Sequence, residues 1–538
     1  MTEYTLTVID TAGIQDYIFG SNNLKQNVGA SALAHWATHT YVYETLNELG
    51  KSNFNRADDV NLARIERIED GLVSELIYAG GGNTVIVFRN TPLFDGETPA
   101  HEFTRRLTRK ILTDAAGLQL VIAHAEFDWQ TTQLGALVAE TLRKLADKKM
   151  HRPPDAPLLG LSVTADCQYT GLPATMELPD PDNRLRRVSA EVQQKNTAYE
   201  WADKRLRELI EKEGVDLSGY AFIRDFDDLG EKGEASYIAV VHTDGNRMGK
   251  RVEALASRHP DSREYMTEMR KFSESIDLAA RSALAATVRL LKESIVEGNI
   301  GGVVTIRPDK DADKGKLPFR PIVFGGDDVT FVTDGRLGLP LTAFYLEQLK
   351  LHPLSDGAGP IVARAGIAVV KSHYPFARAY DLAENLQRSA KSMTEEGTLA
   401  ALDWHFATSG AVLPLKEIRE RQYTGDDGPL TMRPLAFRDA TPAQWRTWSV
   451  FKAMIARFNE KEWAERHNKI KGVQTVLRDG SHAAEQFRTL YGLPLLPDII
   501  GNPAAATTGW IGDRCTCYDP IEALEFFVPL EEAAHANV

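Results

Sequence analysis

The chain has 538 residues, room for three or four domains at about 150 residues each. Hydrophobic residues make up 43% and charged residues 25%, the mix of a globular protein and not of a disordered or fibrous one. With 62 Lys and Arg against 75 Asp and Glu, the net charge of −13 argues against broad coating of nucleic acid, although a local basic groove stays open. Three cysteines, Cys167, Cys515 and Cys517, cannot build a disulfide framework and suit a reducing cytoplasm. Cys515-Thr-Cys517 is too closely spaced to make a zinc site alone. The first residues lack a basic segment followed by an apolar one, and no apolar run approaches a membrane span, so neither a signal peptide nor a membrane partner is expected.

In chain order, Tyr4 to Ile9 alternates as a strand and ends at Asp10. Helical sequence follows, chiefly Gln26 to Leu49, then a polar loop from Asp58 to Glu75. Leu76-Ile-Tyr-Ala79, Gly80-Gly-Gly-Asn83 and Thr84 to Phe88 read as strand, glycine turn and strand. A helix over Pro99–Ala115, a strand over Leu118–Phe127 and a helix over Thr132–Lys149 complete a β-α-β-β-α-β unit, the ferredoxin-like pattern. Lys148 to Pro157 is charged and then proline-rich, a linker. Leu158 to Ala235 contains Cys167 and one amphipathic helix, Glu191 to Glu213.

Then the pattern returns. Ser236 to Thr243 is a strand ending at Asp244, and helical sequence runs to about Glu297. Strands over Pro321–Phe324 and Val329–Thr333 flank Gly325-Gly-Asp-Asp328. A helix over Leu337–Leu351, a strand over Val362–Val370 and a helix over Phe376–Lys391 follow. The strand-ending aspartates are offset by 234 residues and the turn glycines Gly81 and Gly325 by 244, so the second unit duplicates the first. From Asp403 on, the chain is rich in Trp, Arg and Glu, with helical spacing over Thr441–Arg466. The fold expected is α+β: a first ferredoxin-like domain over 1–150, a connecting segment over 151–235, a second ferredoxin-like domain over 236–400 and a mostly helical C-terminal domain over 401–538.

Gly325-Gly326-Asp327-Asp328 carries the chemistry. Two glycines allow a tight turn and a close approach to phosphate, and two carboxylates offer hard oxygen ligands for Mg²⁺ with a substrate triphosphate. Asp244, ending the neighbouring strand, would lie beside them, and three carboxylates at one sheet edge call for cations. In the first unit the same turn holds Asn83 and Thr84, weak ligands for Mg²⁺, although its glycine amides could cradle a phosphate. Further candidates are Lys371 and His373 after the last strand. The basic run Arg307, Lys310, Lys314, Lys316 and Arg320 reads as a solvated loop, and Arg184-Leu-Arg-Arg187 as the same.

The combination resembles the large polymerase–cyclase subunit of type III CRISPR effector complexes and, more distantly, the GGDEF nucleotide cyclases. Gly13-Ile-Gln-Asp-Tyr-Ile-Phe19, Val28-Gly-Ala-Ser-Ala-Leu33 and Tyr78-Ala-Gly-Gly-Gly-Asn83 are similar to its first palm domain. Asp244-Gly-Asn-Arg-Met-Gly-Lys250, Phe324 to Asp328, Ala365 to Phe376 and Ala383 to Lys391 are similar to its second. The resemblance covers about residues 1 to 400. It implies an enzyme, a nucleotidyltransferase that joins ATP into cyclic oligoadenylate for antiviral defence signalling. Its two Mg²⁺ or Mn²⁺ ions would be held by Asp244, Gly245, Asp327 and Asp328. Its nucleotides would be held by Ser31, Gly81, Gly82, Asn83, Gly245, Asn246, Gly325, Gly326 and Lys391. Ser31 reads equally as a helix cap or packing residue. A guide-RNA effector complex or an activating RNA is the partner implied. The alternatives are a di- or mononucleotide cyclase using GTP or mixed substrates, and a complex scaffold with idle palms. The chain opens directly on the first palm, which predicts no HD nuclease. Cys167 lacks paired cysteines, which predicts no zinc. The family's second strand-end aspartate is Asn246 here.

Overall fold

The computed structural model describes residues 3–53, 67–80, 82–93, 96–151, 163–179, 183–230, 236–309, 313–407 and 413–530. Strand β1 (Tyr4–Ala12) leads through α1 (Ile14–Phe19) into α2 (Leu24–His35), a single π turn and α3 (Tyr41–Leu49). Asn23 starts α2 because its side chain accepts the Gln26 N–H. Strands β2 (Ser74–Gly80) and β3 (Asn83–Arg89), α4 (Pro99–Asp114), β4 (Gln119–Phe127) and α5 (Leu134–Met150) complete the unit. Its sheet is antiparallel in the order β2-β3-β1-β4, the ferredoxin-like order expected.

Helix α6 (Ala190–Lys212) begins at Ser189, whose hydroxyl accepts the Val192 N–H. It lies directly on α2: a Cβ on Gly29 would stand 1.7 Å from the Lys195 carbonyl oxygen. Gly29 is therefore a packing glycine, fixed by the close approach of two helices.

The central unit comprises β5 (Tyr237–Gly245), α7 (Met248–Arg258), α8 (Ser262–Glu293), β6 (Phe319–Val323), β7 (Val329–Asp334), α9 (Gly338–Leu349), β8 (Ala363–Lys371) and α10 (Phe376–Ala390). Its order, β6-β7-β5-β8, repeats that of the first sheet. The repeat extends to a defect: the register slips between Leu76 and Tyr78 in β2 and between Pro321 and Val323 in β6. A bulge next to a functional hairpin re-aims its tip.

The sheet does not stop at residue 400. β9 (Ala401–Ala407) pairs parallel with β8, and β10 (Leu435–Ala436) pairs with β9. All seven residues of β9 are buried, so the strand shows no alternation that would separate it from the helical sequence after it. The basic run before β6 also differs from the solvated loop expected. Arg307–Asp309 and Lys314–Leu317 pair with each other, and the second joins Tyr220–Phe222. Lys316 pairs with Asp228 at 2.6 Å and Arg320, 1% exposed, with Asp203. Lys310 lies outside the described residues.

Both sheets feed the same two cores. Leu6 and Val8 join Ala239 and Val241 in one, while Ile9 joins Ile238 and Val240 in the other. No described helix is long and apolar enough to cross a membrane.

Behind β9 the helical region is held by a buried ion cluster. Arg433 is fully buried, stacked over Tyr423 at 4.5 Å and Trp404 at 5.1 Å, and paired with Glu522 at 3.1 Å and Asp519 at 3.4 Å. Arg433→Ala leaves two acids facing each other without a cation. We expect it to cost about 3–5 kcal/mol, read as a lower denaturant midpoint, while Arg433→Lys recovers part of the loss.

Candidate active site at the Gly325–Asp328 hairpin

Three elements build the site. Strand β5 delivers Asp244 at its end, the β6–β7 turn delivers Asp327 and Asp328, and α10 packs on β5. Gly325 has φ +105°, a backbone conformation that only glycine adopts readily. Gly245 serves a steric purpose: a Cβ there would stand 2.8 Å from the Asp327 Cβ and 2.9 Å from its Oδ2. The glycine after Asp244 is thus the space in which Asp327 sits.

One carboxylate oxygen from each of Asp244, Asp327 and Asp328 lies within 4.8 Å of the others. At an effective dielectric of about 20, two ionised groups that close repel by about 3 kcal/mol or more. Burial first, and then the Asp244 charge, push Asp327 up to about 6. Lost hydration and the charges of Asp327 and Asp244 raise Asp328 as well. Asp328 keeps a face open to solvent, so for that residue the crowding of like charge is the stronger cause. This donor set fits a hard divalent cation: all ligands are oxygens, and the charge is excessive without one.

Asp244 Oδ2 accepts from Gln387 Nε2 at 2.9 Å and is paired with Arg364. The corresponding groups of the first unit differ. Asp10 is paired with Lys149 of α5, so its charge is already neutralised by the chain. Gln387 of α10 makes the matching reach with a neutral amide, and the cation on Asp244 is Arg364 of β8.

The long helix α8 sets both hairpins over adjacent turns. A Cβ on Gly80 would meet Ser273 Oγ at 3.4 Å, and one on Gly325 would meet Asp277 Oδ1 at 3.9 Å. Four residues along a helix is about one turn, roughly 6 Å. The first unit is fastened to the N-terminal half of α10: Phe19 stacks on Tyr380 at 3.8 Å, Gln15 donates to the Tyr380 hydroxyl, and Asn22 accepts the Phe376 N–H.

The remaining expected residues fall as follows. Gly326 completes the turn. Asn246 is buried, its amide donating to the Leu399 carbonyl at 3.1 Å and its oxygen accepting from Arg364 at 2.8 Å, so the side chain serves the scaffold and is not presented to a ligand. Lys391 is exposed, one turn beyond Gln387. Ser31 is half-buried in the middle of α2, which excludes the helix-cap reading. Gly82 has φ +80°, Asn83 opens β3 with its Oδ1 buried and without a hydrogen-bond partner among the described residues, and Thr84 donates to the Thr38 carbonyl at 2.5 Å. Gly81 lies outside the described residues. Lys371 and His373 are far from the site: β8 runs antiparallel to β5, and Lys371 pairs with Tyr237 at the opposite end of the sheet. The same register sets Arg364 opposite Asp244. Arg364 and Gln387 were missed from the sequence. Counting the two strands antiparallel would have found the first.

A metal titration checks the electrostatics. Asp327 binds a proton more tightly folded, with a value near 6, than unfolded, at about 4. Its ionisation therefore opposes folding as pH rises from about 4 to 6, and cation binding must displace that proton. We expect Mn²⁺ to bind more tightly at pH 7.5 than at pH 5.5. In chelator at pH 7, Asp327→Asn should raise the melting temperature. A lowered melting temperature would contradict the like-charge account.

No family model and no curated protein matches the chain. Solved structures do. Csm1 of T. onnurineus aligns over 97% of this chain and 70% of its own, at 14% identity and TM-score 0.51. The Csm1–Csm4 cassette in complex with AMPPNP aligns over 98% and 70%, at 14% identity and TM-score 0.52. The cassette in complex with cA4 aligns over 97% and 69%, at 14% identity and TM-score 0.50. The chain is thus similar in fold, across nearly its whole length, to Csm1, and the resemblance to the large subunit of type III CRISPR complexes holds at the level of fold.

Proposed function

We propose that this protein is a metal-dependent nucleotidyltransferase that joins ATP molecules into a cyclic oligonucleotide, a second messenger in antiviral defence. The convergence of Asp244, Asp327 and Asp328 beside a glycine turn carries the reading. Similar structures solved with AMPPNP, with pppApApA and with cA4 support it.

In the reaction, the 3′-hydroxyl of one nucleotide attacks the α-phosphorus of another. A new P–O bond forms, the bond to the bridging oxygen of the β-phosphate breaks, and pyrophosphate leaves. Asp244, Asp327 and Asp328 would hold Mg²⁺ or Mn²⁺, which when bound supplies Lewis-acid activation and charge stabilisation. Gly325 and Gly326 let the donor triphosphate approach the backbone. Gln387 orients Asp244. Lys391, exposed in the turn just after α10 and four residues past Gln387, would meet phosphate. The first hairpin takes the acceptor: Gly82 leaves its backbone open, and Asn83 Oδ1 offers an unused acceptor. Holding both nucleotides in line is worth about 7–11 kcal/mol in favourable cases. The Csm1-like fold favours a guide-RNA complex or an activating RNA as partner.

The test is incubation with each nucleoside triphosphate and Mg²⁺ or Mn²⁺, followed by mass spectrometry. A cyclic oligoadenylate is expected. A product from GTP alone would redirect the reading to another cyclase, and no product with co-purified RNA to a scaffold. Asp327→Asn removes a ligand charge and should lower turnover on the order of a thousandfold; turnover within about tenfold of wild type would remove the assignment.

A bulky residue at Gly82 tests the division of labour. Equilibrium binding of a non-hydrolysable ATP analogue should fall from two sites to one, with joining largely lost. A wild type that binds one nucleotide would make the first unit a scaffold.

A further inference from the structure

Arg364 is the cross-strand neighbour of Asp244 and forms an ion pair with its Oδ2. Its guanidinium is not a loose surface group that has folded onto an acid. From the other side, Nη1 donates to Asn246 Oδ1 at 2.8 Å. Asn246 is itself anchored, by its side-chain amide to the Leu399 carbonyl at 3.1 Å and by its backbone N–H to the Val362 carbonyl at 2.8 Å. Arg364 is therefore held at the triad by the sheet and by a buried amide, with a side chain only 17% exposed. In the first unit the residue opposite Asp10 is Val121, and the cation on that aspartate comes from a helix, as Lys149 of α5, so a cross-strand arginine is particular to the second unit.

Two consequences follow for the metal. The first is charge. Three carboxylates carry three negative charges when ionised, and the Arg364 guanidinium sets one positive charge against them. Before nucleotide binds, the remainder equals the charge of a single divalent ion. The second is ligand capacity. Asp244 Oδ2 is already ion-paired with Arg364 and accepts from Gln387. Ions of a two-metal site stand about 3.5–4 Å apart, close enough to need a shared carboxylate, and Asp244 has one oxygen left to give.

We propose that Arg364 stands permanently in place of one of two divalent cations, so that the Asp244–Asp327–Asp328 site takes a single Mg²⁺ or Mn²⁺. This rests on the reading of the triad as a metal site and narrows its expected content from two ions to one. Asn246, standing where the resembling family has an aspartate, belongs to the same arrangement. Its neutral oxygen accepts from Arg364 and its amide braces the loop. Arg364 acts through Asp244 and is a positioning residue.

The experiment is electron paramagnetic resonance of the full chain with Mn²⁺ and AMPPNP. Two Mn²⁺ ions sharing a carboxylate give an exchange-coupled spectrum, and a lone ion does not. The wild type should show bound Mn²⁺ without a coupled pair. Arg364→Ser should gain the coupled pair, and Arg364→Lys, which keeps a charge, should not. A coupled pair in the wild type overturns the inference and leaves the metal site standing. Bound but uncoupled Mn²⁺ in a folded Arg364→Ser also overturns it, because something other than Arg364 then excludes the second ion. No Mn²⁺ bound at the triad, judged by the lack of any change in Asp327→Asn, would remove the metal site itself. Should neither variant fold, the wild-type spectrum decides alone.

Discussion

Like charge held together at one sheet edge is the constraint on which the rest of this molecule depends. Asp244, Asp327 and Asp328 would separate if the backbone allowed it. They cannot, because Asp244 ends a strand zipped to β7 and β8 on both sides, and the other two sit on the turn that leads into β7. The sheet thereby keeps charge concentrated where free side chains would disperse it. Packing on both faces makes this possible: β5 places Ala239 and Val241 in one core and Ile238 and Val240 in the other. A strand buried on both faces cannot shift register to relieve a repulsion at its end.

The duplicated first unit shows what the same framework becomes without that charge. Its strand-end aspartate is answered by Lys149, its hairpin carries Asn83 and Thr84, and the cross-strand position is Val121. Thr84 is turned to the Thr38 carbonyl of the π turn, so that hairpin is tied to the helix beneath it. One copy has traded its electrostatic strain for internal bonds, and the other has kept it. At the hairpin and the strand end beside it the copies differ in side chains, since the order of the four shared strands and even the bulge are repeated.

The two copies are held in one relation by polar contacts as well as by the shared cores. Glu75 of β2 is fully buried and bonded to Arg263 and Arg270 of α8 at 2.6 and 2.7 Å, and it accepts the Ile68 N–H. Burial alone would raise its carboxyl, and the two arginines more than offset that. Arg270 also bonds the Leu76 carbonyl. These bonds join the strand that leads to the first hairpin to the helix that runs beneath the second. Glu69 is paired with Arg263 as well, so two acids answer the two arginines.

The sequence by itself determined the duplication, the two hairpins and the identity of the three carboxylates. Each rests on short-range signals: period-two alternation, glycine pairs at turns, and aspartates at strand ends. Fold class was legible for the same reason, since alternating and helical periods need no knowledge of partners. Tertiary structure decided the rest. Arg364 is 120 residues from Asp244 in the chain and becomes its neighbour only through antiparallel pairing, which also carries Lys371 and His373 to the far end of the sheet. Gln387 reaches Asp244 because α10 crosses β5, and no local pattern announces that crossing. β9 escaped notice because a strand buried on both faces has no alternation to read. Asn246 looked like a ligand on its place in the motif, and its partners at Leu399 and Arg364 exist only in the folded chain. Charge type and turn chemistry are written residue by residue. Which charges meet is set by strand register and helix crossing, and these are fixed by burial over the whole sheet.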